Sequence, residues 1–250
     1  MDEVLELCST HLRTEDIYND LQFPEGKDGR PYAAINVVSS LDGKATLGGR
    51  AGGIGTGFDH NLMRRVRAAT DLVLVGANTL RAENINFCLT EELQRRRVVQ
   101  GKSPAPLAAV LSASGDLPLD RTFFQSKEFE SIVFVSGRAD PRRVQEMEKY
   151  ARVIVVGQDT VDIKQLAGIL WHDLGIRRMT VEGGPGLNYA FIANGLADEL
   201  FLTVAPKVVA GREITPVEGP SLPGVRAVDL ELISAYAHQS ELYLRYRFVS

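Results

Sequence analysis

Short apolar runs of strand length recur along this chain of 250 residues, and amphipathic helical patterns separate them. Several of the runs are nearly continuous in Val, Ile, Leu and Ala, which is typical of strands buried on both faces. They are Tyr32–Ser39, Leu72–Gly76, Leu107–Ser112, Ile132–Ser136, Val153–Gly157 and Met179–Glu182. Alternating strands and helices predict an α/β fold whose central sheet is mostly parallel, with helices on both faces.

The C-terminal part of the chain follows a different pattern. Leu200–Ala205 and Glu241–Phe248 alternate like half-exposed strands, Ala227–Ser234 reads as a third, and no long helical pattern lies between them. We therefore expect antiparallel strands to close the sheet. Because no linker or repeat interrupts the pattern, we expect residues 1–30 to be an N-terminal extension and residues 31–250 to be a single domain.

Composition excludes several functional classes. A net charge of −4 disfavours nucleic acid or anionic membrane as a partner, since both select basic surfaces. The N-terminus lacks the pattern of a signal peptide, and no apolar run approaches the roughly 20 residues that span a bilayer, so we expect a cytoplasmic protein. Two cysteines, Cys8 and Cys88, and four scattered histidines give no metal-ligand spacing. We expect no metal site.

Three glycine-bearing segments follow predicted strands, where ligands of open α/β sheets bind. They are Ser39–Gly57, Val75–Glu83 and Val181–Asn188. In the third, Gly183 and Gly184 let main-chain amides approach a phosphate, and Pro185 suits the start of a helix whose dipole favours anions. A diphosphate cradle and an ordinary strand–helix turn both fit this segment.

The other two segments also keep two interpretations each. After Gly76, the Thr79 hydroxyl can bind a phosphate or cap a helix, and Glu83 can accept ribose hydroxyls or lie in solvent. The glycines between Gly43 and Gly57 suit a mobile flap over a site. Arg67 can clamp a phosphate or be solvated, whereas Glu182, at the end of a buried strand, needs a partner.

Three sequence motifs, in their residues and in their order along the chain, are specific enough to indicate a protein family. NVVSSLDGKAT (Asn36–Thr46), RAATDLVLVGANTLRAE (Arg67–Glu83) and VEGGPGLNYAFIANGLADELFLTVAPKVVAG (Val181–Gly211) together resemble the pyrimidine reductase family of riboflavin biosynthesis. The likeness runs from about residue 31 to the C-terminus. It implies a dihydrofolate-reductase-like fold, NADPH as cofactor and a homodimer. The implied substrate is a ribosylaminopyrimidine 5′-phosphate, reduced at the ribosyl C1′ through its open imine form.

The resemblance also implies roles for individual residues. It assigns substrate contacts to Asp42, Gly52, Arg67 and Glu182, with Asp42 and Glu182 as the catalytic candidates. It assigns cofactor contacts to Asn36, Val38, Gly76, Thr79, Glu83, Ser112, Gly183, Gly184, Pro185, Gly186 and Leu187.

This chain departs from the family pattern mainly on the substrate side. Asn36 stands where bifunctional bacterial enzymes usually carry lysine, Glu83-Asn84 replaces Asp-Asp-Pro, and Gly52 and Ile54 replace Ser and Trp. Two alternatives therefore accompany the main hypothesis. One is a related reductase of another pterin or pyrimidine, such as dihydrofolate, and the other is an NADPH-binding regulator without turnover. The proton donor stays open among Asp42, Lys44 and water.

Overall fold

A computed structural model describes residues 12–222, 224 and 227–249. Its strands are β1 (Tyr32–Ser40), β2 (Leu72–Gly76), β3 (Leu107–Leu111), β4 (Ser131–Val135), β5 (Arg152–Val155), β6 (Arg178–Val181), β7 (Glu199–Ala205), β8 (Leu230–His238) and β9 (Glu241–Phe248). Its α-helices are α1 (Gly57–Ala68), α2 (Ala77–Ala82), α3 (Glu91–Val99), α4 (Thr122–Gln125), α5 (Pro141–Met147), α6 (Ile163–His172) and α7 (Pro185–Ala193). A 3-10 turn covers Ala51–Gly53.

All nine strands form one sheet in the order β5-β4-β3-β2-β6-β1-β7-β9-β8. The strands from β5 to β7 are parallel, and β9 and β8 add to β7 as antiparallel strands. This topology confirms the predicted α/β fold, including the antiparallel C-terminal strands. The carboxyl ends of β2, β6 and β1, which are neighbours, therefore meet at one edge.

Apolar side chains from the helices bury both faces of the sheet. On one face, Ile35 and Val181 pack with Leu166 of α6 and Phe191 of α7. The opposite face has a cluster around Val110 and a smaller one that joins α1 to β1 and β7. Because these interior strands carry apolar residues on both sides, they read as continuous runs in the sequence.

The helix boundaries follow the expected chemistry. The carboxylate of Asp140 accepts the Arg142 N–H (2.9 Å) ahead of Pro141, and Pro185 occupies the first turn of α7. Gly175 adopts a left-handed φ of 66° beyond α6, which an L side chain would oppose.

One strand lies elsewhere than expected. The third C-terminal strand was predicted at Ala227–Ser234 but occupies Leu230–His238. It turns into β9 through Gln239 and Ser240, both at positive φ. Since neither is Gly, Asn or Asp, the turn had no composition signal, and a register shift between Leu232 and Ser234 breaks the alternation that locates strands.

The described part of the predicted N-terminal extension packs onto the sheet. Ile17 and Phe23 are buried, Phe23 beside Phe201 of β7. Cys8 and His11 lie outside the described residues. In the part of the chain that is described, no helix is long and apolar enough to cross a membrane.

Candidate active site

The segments after β2 and β6 form a tightly packed double turn. The Gly76 N–H donates to the Gly183 carbonyl (2.7 Å), and Gly183 adopts φ 80°. A Cβ on Gly76 would lie 3.2 Å from the Gly184 nitrogen, and a Cβ on Gly184 would lie 3.3 Å from Thr79 Oγ1. Glycine at both positions thus lets the two chains approach this closely.

Main-chain donors of this turn have no internal acceptor. Among the described residues, the N–H groups of Gly184 and Gly186 make no hydrogen bond, while the Leu187 N–H is used by the Gly184 carbonyl (3.0 Å). The Thr79 hydroxyl likewise caps no helix end. Free amides at the start of α7 are a ready anion site, and they fit the diphosphate of a dinucleotide.

Arg67 and Glu182 form a buried, two-pronged ion pair beside this turn. Arg67 Nε donates to Glu182 Oε1 (2.7 Å) and Nη2 to Oε2 (2.6 Å), while Nη1 donates to the Asn86 carbonyl (2.8 Å). The Arg67 side chain is 1% exposed and that of Glu182 is 7% exposed. The expected clamp of Arg67 on a substrate phosphate is not open in this arrangement, because its guanidinium is already occupied and enclosed. Glu182 has the partner that its position required.

The glycine-rich segment after β1 is held down by two carboxylates. Glu213 accepts the Thr46 hydroxyl (2.5 Å) and the N–H groups of Gly48 and Gly49 (3.1 and 3.2 Å). Glu83 Oε1 accepts the Ala51 N–H (2.9 Å) and, more weakly, the Gly52 N–H (3.4 Å). The segment predicted as a mobile flap is thus a loop held by Glu213 and Glu83, which we call the latched loop. Glu83, which was expected to contact a ribose, uses its Oε1 to hold this loop.

Asp42 serves as a tether. Its carboxylate accepts the Ser40 hydroxyl (2.6 Å) and the N–H groups of Val209 and Ala210 (3.0 and 2.7 Å). The Ser40 hydrogen bond first, and then the two main-chain bonds, lower the pKa of Asp42 to about 2. An acid that is ionised throughout the neutral range cannot store a proton there, so this environment disfavours Asp42 as the proton donor.

Asp59 is the titratable residue that sequence reasoning missed. It lies in the first turn of α1 and lines a small void of about 10 Å³ together with Asn36 and Thr203. Burial raises the pKa of Asp59, and the nearby carboxylates of Glu241 and Glu182 add to the shift, while a hydrogen bond with Thr203 opposes it. The only sequence signal was Thr56-x-x-Asp59, which indicates a helix start and says nothing of chemistry.

The remaining predicted cofactor contacts differ in what they offer. Val38 lies near the carboxyl end of β1, and Pro185 is the first residue of α7. Both side chains are partly buried. The Leu187 side chain is in the core, and its N–H is used, so it offers no group to a ligand. Ser112 is buried beyond β3, with its hydroxyl accepting the Gly115 N–H (3.2 Å).

No group of three or more His, Cys, Asp or Glu side chains in the described ranges is arranged to hold a metal ion. The His238 ring packs against Phe58 at a tilt of 51°, with the ring centres 4.5 Å apart.

Comparison with known proteins gives one family. Residues 31–244 match the family model described as the RibD C-terminal domain. The chain is 32% identical over 219 residues to the 2,5-diamino-6-ribosylamino-4(3H)-pyrimidinone 5′-phosphate reductase of Methanothermobacter thermautotrophicus, covering 87% of this chain and 98% of that protein. It is 34% identical over 186 residues to the reductase of the same name from Archaeoglobus fulgidus, covering 74% and 84%.

Solved structures share the fold. A pyrimidine reductase-like protein from Corynebacterium diphtheriae superposes with a TM-score of 0.82 at 24% identity, covering 95% of this chain and 98% of that one. RibD from Acinetobacter baumannii gives a TM-score of 0.72 at 21% identity, covering 89% of this chain and 59% of that one.

Proposed function

The chain belongs to the RibD C-terminal domain family, and we propose that it is an NADPH-dependent reductase of riboflavin biosynthesis. Its proposed substrate is 2,5-diamino-6-ribosylamino-4(3H)-pyrimidinone 5′-phosphate, the compound in the names of the archaeal reductases that are 32% and 34% identical to it. The product is the ribitylamino compound. Neither dihydrofolate reduction nor a regulator without turnover has comparable support.

The observation that carries this proposal is the glycine turn after β6. It combines free N–H groups at Gly184 and Gly186, the start of α7 and the neighbouring Thr79 hydroxyl, at the edge of the sheet where Glu182 also lies. These groups would hold the diphosphate. When bound, NADPH supplies the hydride, and the protein's task is to position it and exclude water.

On the substrate side, we propose that Glu182 contacts the pyrimidine and that Arg67 positions Glu182. The two hydrogen bonds between them fix the plane of the carboxylate. Gly52, exposed on the latched loop, would approach the substrate with its main chain.

For the proton, we propose Asp59. Reduction of the imine adds hydride to C1′ and one proton to the attached nitrogen, so an acid must supply that proton. Asp59 suits this role better than Asp42, because burial raises its pKa whereas hydrogen bonds lower that of Asp42. Asp59 also faces the same small void as Asn36 of β1.

We further propose that the protein is a homodimer. Its edge strand β8 exposes Leu230 and Leu232, and Leu242 of β9 is exposed as well. An unpaired edge with apolar side chains is a surface that a second copy of the chain can cover.

The direct assay measures NADPH oxidation with three acceptors: the diaminopyrimidine substrate, its deaminated counterpart and dihydrofolate. We expect turnover with the first, with kcat/KM at least tenfold lower for the second and no turnover with the third. Oxidation with dihydrofolate alone would replace the proposed substrate, and NADPH binding without turnover of any acceptor would favour the regulator.

A further inference from the structure

A cationic cavity lies at the amino-terminal end of β6, whereas the candidate active site lies at the carboxyl end of the same strand. Its volume is about 260 Å³, and it lies between residues 19–23, the end of α1, α3 and the first residue of β6, Arg178. Glu182 follows the last residue of the same strand, so β6 separates the two places. Nothing in the proposed reductase function uses this cavity.

The lining is basic and contains no carboxylate. Five of its side chains carry a positive charge, in a chain whose net charge is −4. They are Arg65, Arg96, Arg97, Lys102 and Arg178. Like charges gathered around one cavity repel each other unless an anion joins them.

Main-chain carbonyls hold several of these groups in place without neutralising them. Arg97, which is 2% exposed, donates to the carbonyls of Ala68 (2.9 Å), Thr70 (2.6 Å) and Ser103 (2.8 Å). Arg65 donates to the carbonyl of Thr14 (2.9 Å). Capping the end of α1 accounts for Arg97 and, through a long hydrogen bond from Nζ to the Ala69 carbonyl (3.5 Å), in part for Lys102, and it does not account for Arg65, Arg96 or Arg178.

Few carboxylates balance this charge. Arg96 pairs with Glu92, and Arg178 pairs with Glu25, both on the exposed side. Within the described residues, Arg65, Arg97 and Lys102 have no carboxylate within 4.0 Å. Burial lowers the pKa of Lys102, the positive charges of Arg97 and Arg178 lower it further, and Asp71 opposes the shift. The cavity therefore retains uncompensated positive charge.

The rest of the wall is mixed: Leu21, Phe23 and Leu93 give it an apolar part, and Asn19, Gln22 and Gln100 give it uncharged polar groups. We propose that this cavity binds a small phosphorylated organic anion, with the phosphate on the Lys102 ammonium and the Nε side of Arg96 and the organic part against the apolar residues. Nη1 and Nη2 of Arg96 donate to Asn19 and Glu92, which fixes the guanidinium in place. Hydrogen bonds from these charged groups to phosphate oxygens are stronger than those between neutral groups. A volume of about 260 Å³ admits a compact phosphomonoester and not a dinucleotide.

Calorimetry of the full chain with saturating NADPH tests this proposal, using phenyl phosphate and inorganic phosphate as probes. The double variant Arg96→Gln/Lys102→Gln removes two charges from the lining. Arg95→Gln is the matched control, since Arg95 is exposed on the same helix but does not line the cavity. Thermal melts of each variant establish that it is folded.

We expect phenyl phosphate to bind more tightly than inorganic phosphate. The double variant should weaken phenyl phosphate at least tenfold, and Arg95→Gln should weaken it less than twofold, with NADPH affinity unchanged in both. Equal weakening by the control would mean general attraction to a basic surface, and no phenyl phosphate binding sensitive to the double variant would remove the site. Either result overturns the proposal, whatever the reductase assay gives.

Discussion

Arg67 and Glu182 are buried charged residues, and each offsets the cost of burying the other by forming an ion pair with it. Replacing Arg67 by Ala removes a guanidinium that lies over the Phe87 ring and leaves the buried Glu182 without its cation. We expect a loss of about 3–5 kcal/mol in the free energy of unfolding, measured by urea denaturation. The double variant Arg67→Met/Glu182→Met should recover at least half of that loss, because no charge is then left unpaired. A loss below about 1 kcal/mol in the single variant would mean that water reaches the pair.

Asp59→Asn separates the catalytic role of Asp59 from its cost to stability. If Asp59 delivers the proton, kcat should fall by about 10²- to 10⁴-fold, and the decline of wild-type kcat with rising pH should disappear from the variant. Since burial raises the pKa of Asp59 in the folded state, its ionisation destabilises the protein as pH rises from the unfolded pKa towards the folded one.

The same variant should therefore be more stable than wild type at pH 7 and equally stable at about pH 3, where both states of the wild type hold the proton. Denaturant midpoints at the two pH values measure this. Unchanged kcat with the expected gain in stability would make Asp59 a structural carboxylate and leave the proton to water.

Asp42→Asn tests the tether assigned to Asp42. Amide hydrogen exchange at Val209 and Ala210 should accelerate, because both N–H groups donate to this carboxylate. The pH profile of kcat should keep its shape, since a group with a pKa of about 2 does not titrate in the assay range. Loss of an ionisation from the kcat profile, with exchange unchanged, would restore Asp42 as the acid.

For single residues, the sequence indicated which side chains need a polar partner but did not indicate which residue that partner is. Glu182 was expected to need a partner and has one. The partner itself, Arg67, lies 115 positions away, and no local pattern connects the two. Asp59 escaped notice because Thr56-x-x-Asp59 has a sufficient explanation as a helix start. Its pKa is raised by burial first and then by the carboxylates of Glu241 and Glu182, and both causes depend on tertiary packing.

The glycine turn is the element on which cofactor binding depends. Gly76→Ala would place a methyl group 3.2 Å from the Gly184 nitrogen, so the turn must shift, and we expect NADPH to bind about tenfold more weakly by fluorescence titration. Gly168→Ala is the control, because its position inside α6 is open space. It should leave NADPH affinity unchanged and add about 0.5–1 kcal/mol of stability. Unchanged affinity in Gly76→Ala would remove the diphosphate from this turn.

Elements whose signal is local could be predicted, and those fixed by distant contacts could not. The buried strand Leu72–Gly76 was predicted to the residue, since continuous apolar runs identify strands of a covered sheet. Strand β8 was displaced because its turn, Gln239-Ser240, has no composition signal. The latch of Glu213 on Gly48 and Gly49 joins segments more than 160 residues apart, which glycine content alone could not reveal.

At the scale of the whole molecule, we propose that the edge strand β8 forms the dimer interface and that the other edge strand, β5, does not. Sedimentation should give a native mass of twice 27.4 kDa. Leu232→Lys on β8 should shift the protein to monomer, whereas Val155→Lys on the other edge strand, β5, should leave the dimer intact. A wild-type monomer at micromolar concentration, or equal effects of the two variants, would contradict the proposed interface.

The most direct test of the proposed reaction follows the hydride from NADPH to the product. NADPH with deuterium at both hydrogen positions of nicotinamide C4 is incubated with the protein and the diaminopyrimidine ribosyl phosphate, and the product is analysed by NMR and mass spectrometry. We expect one deuterium per product molecule, located at the ribityl C1′. Unlabelled product, or a deuterium on the pyrimidine ring, would contradict reduction of the imine at this site.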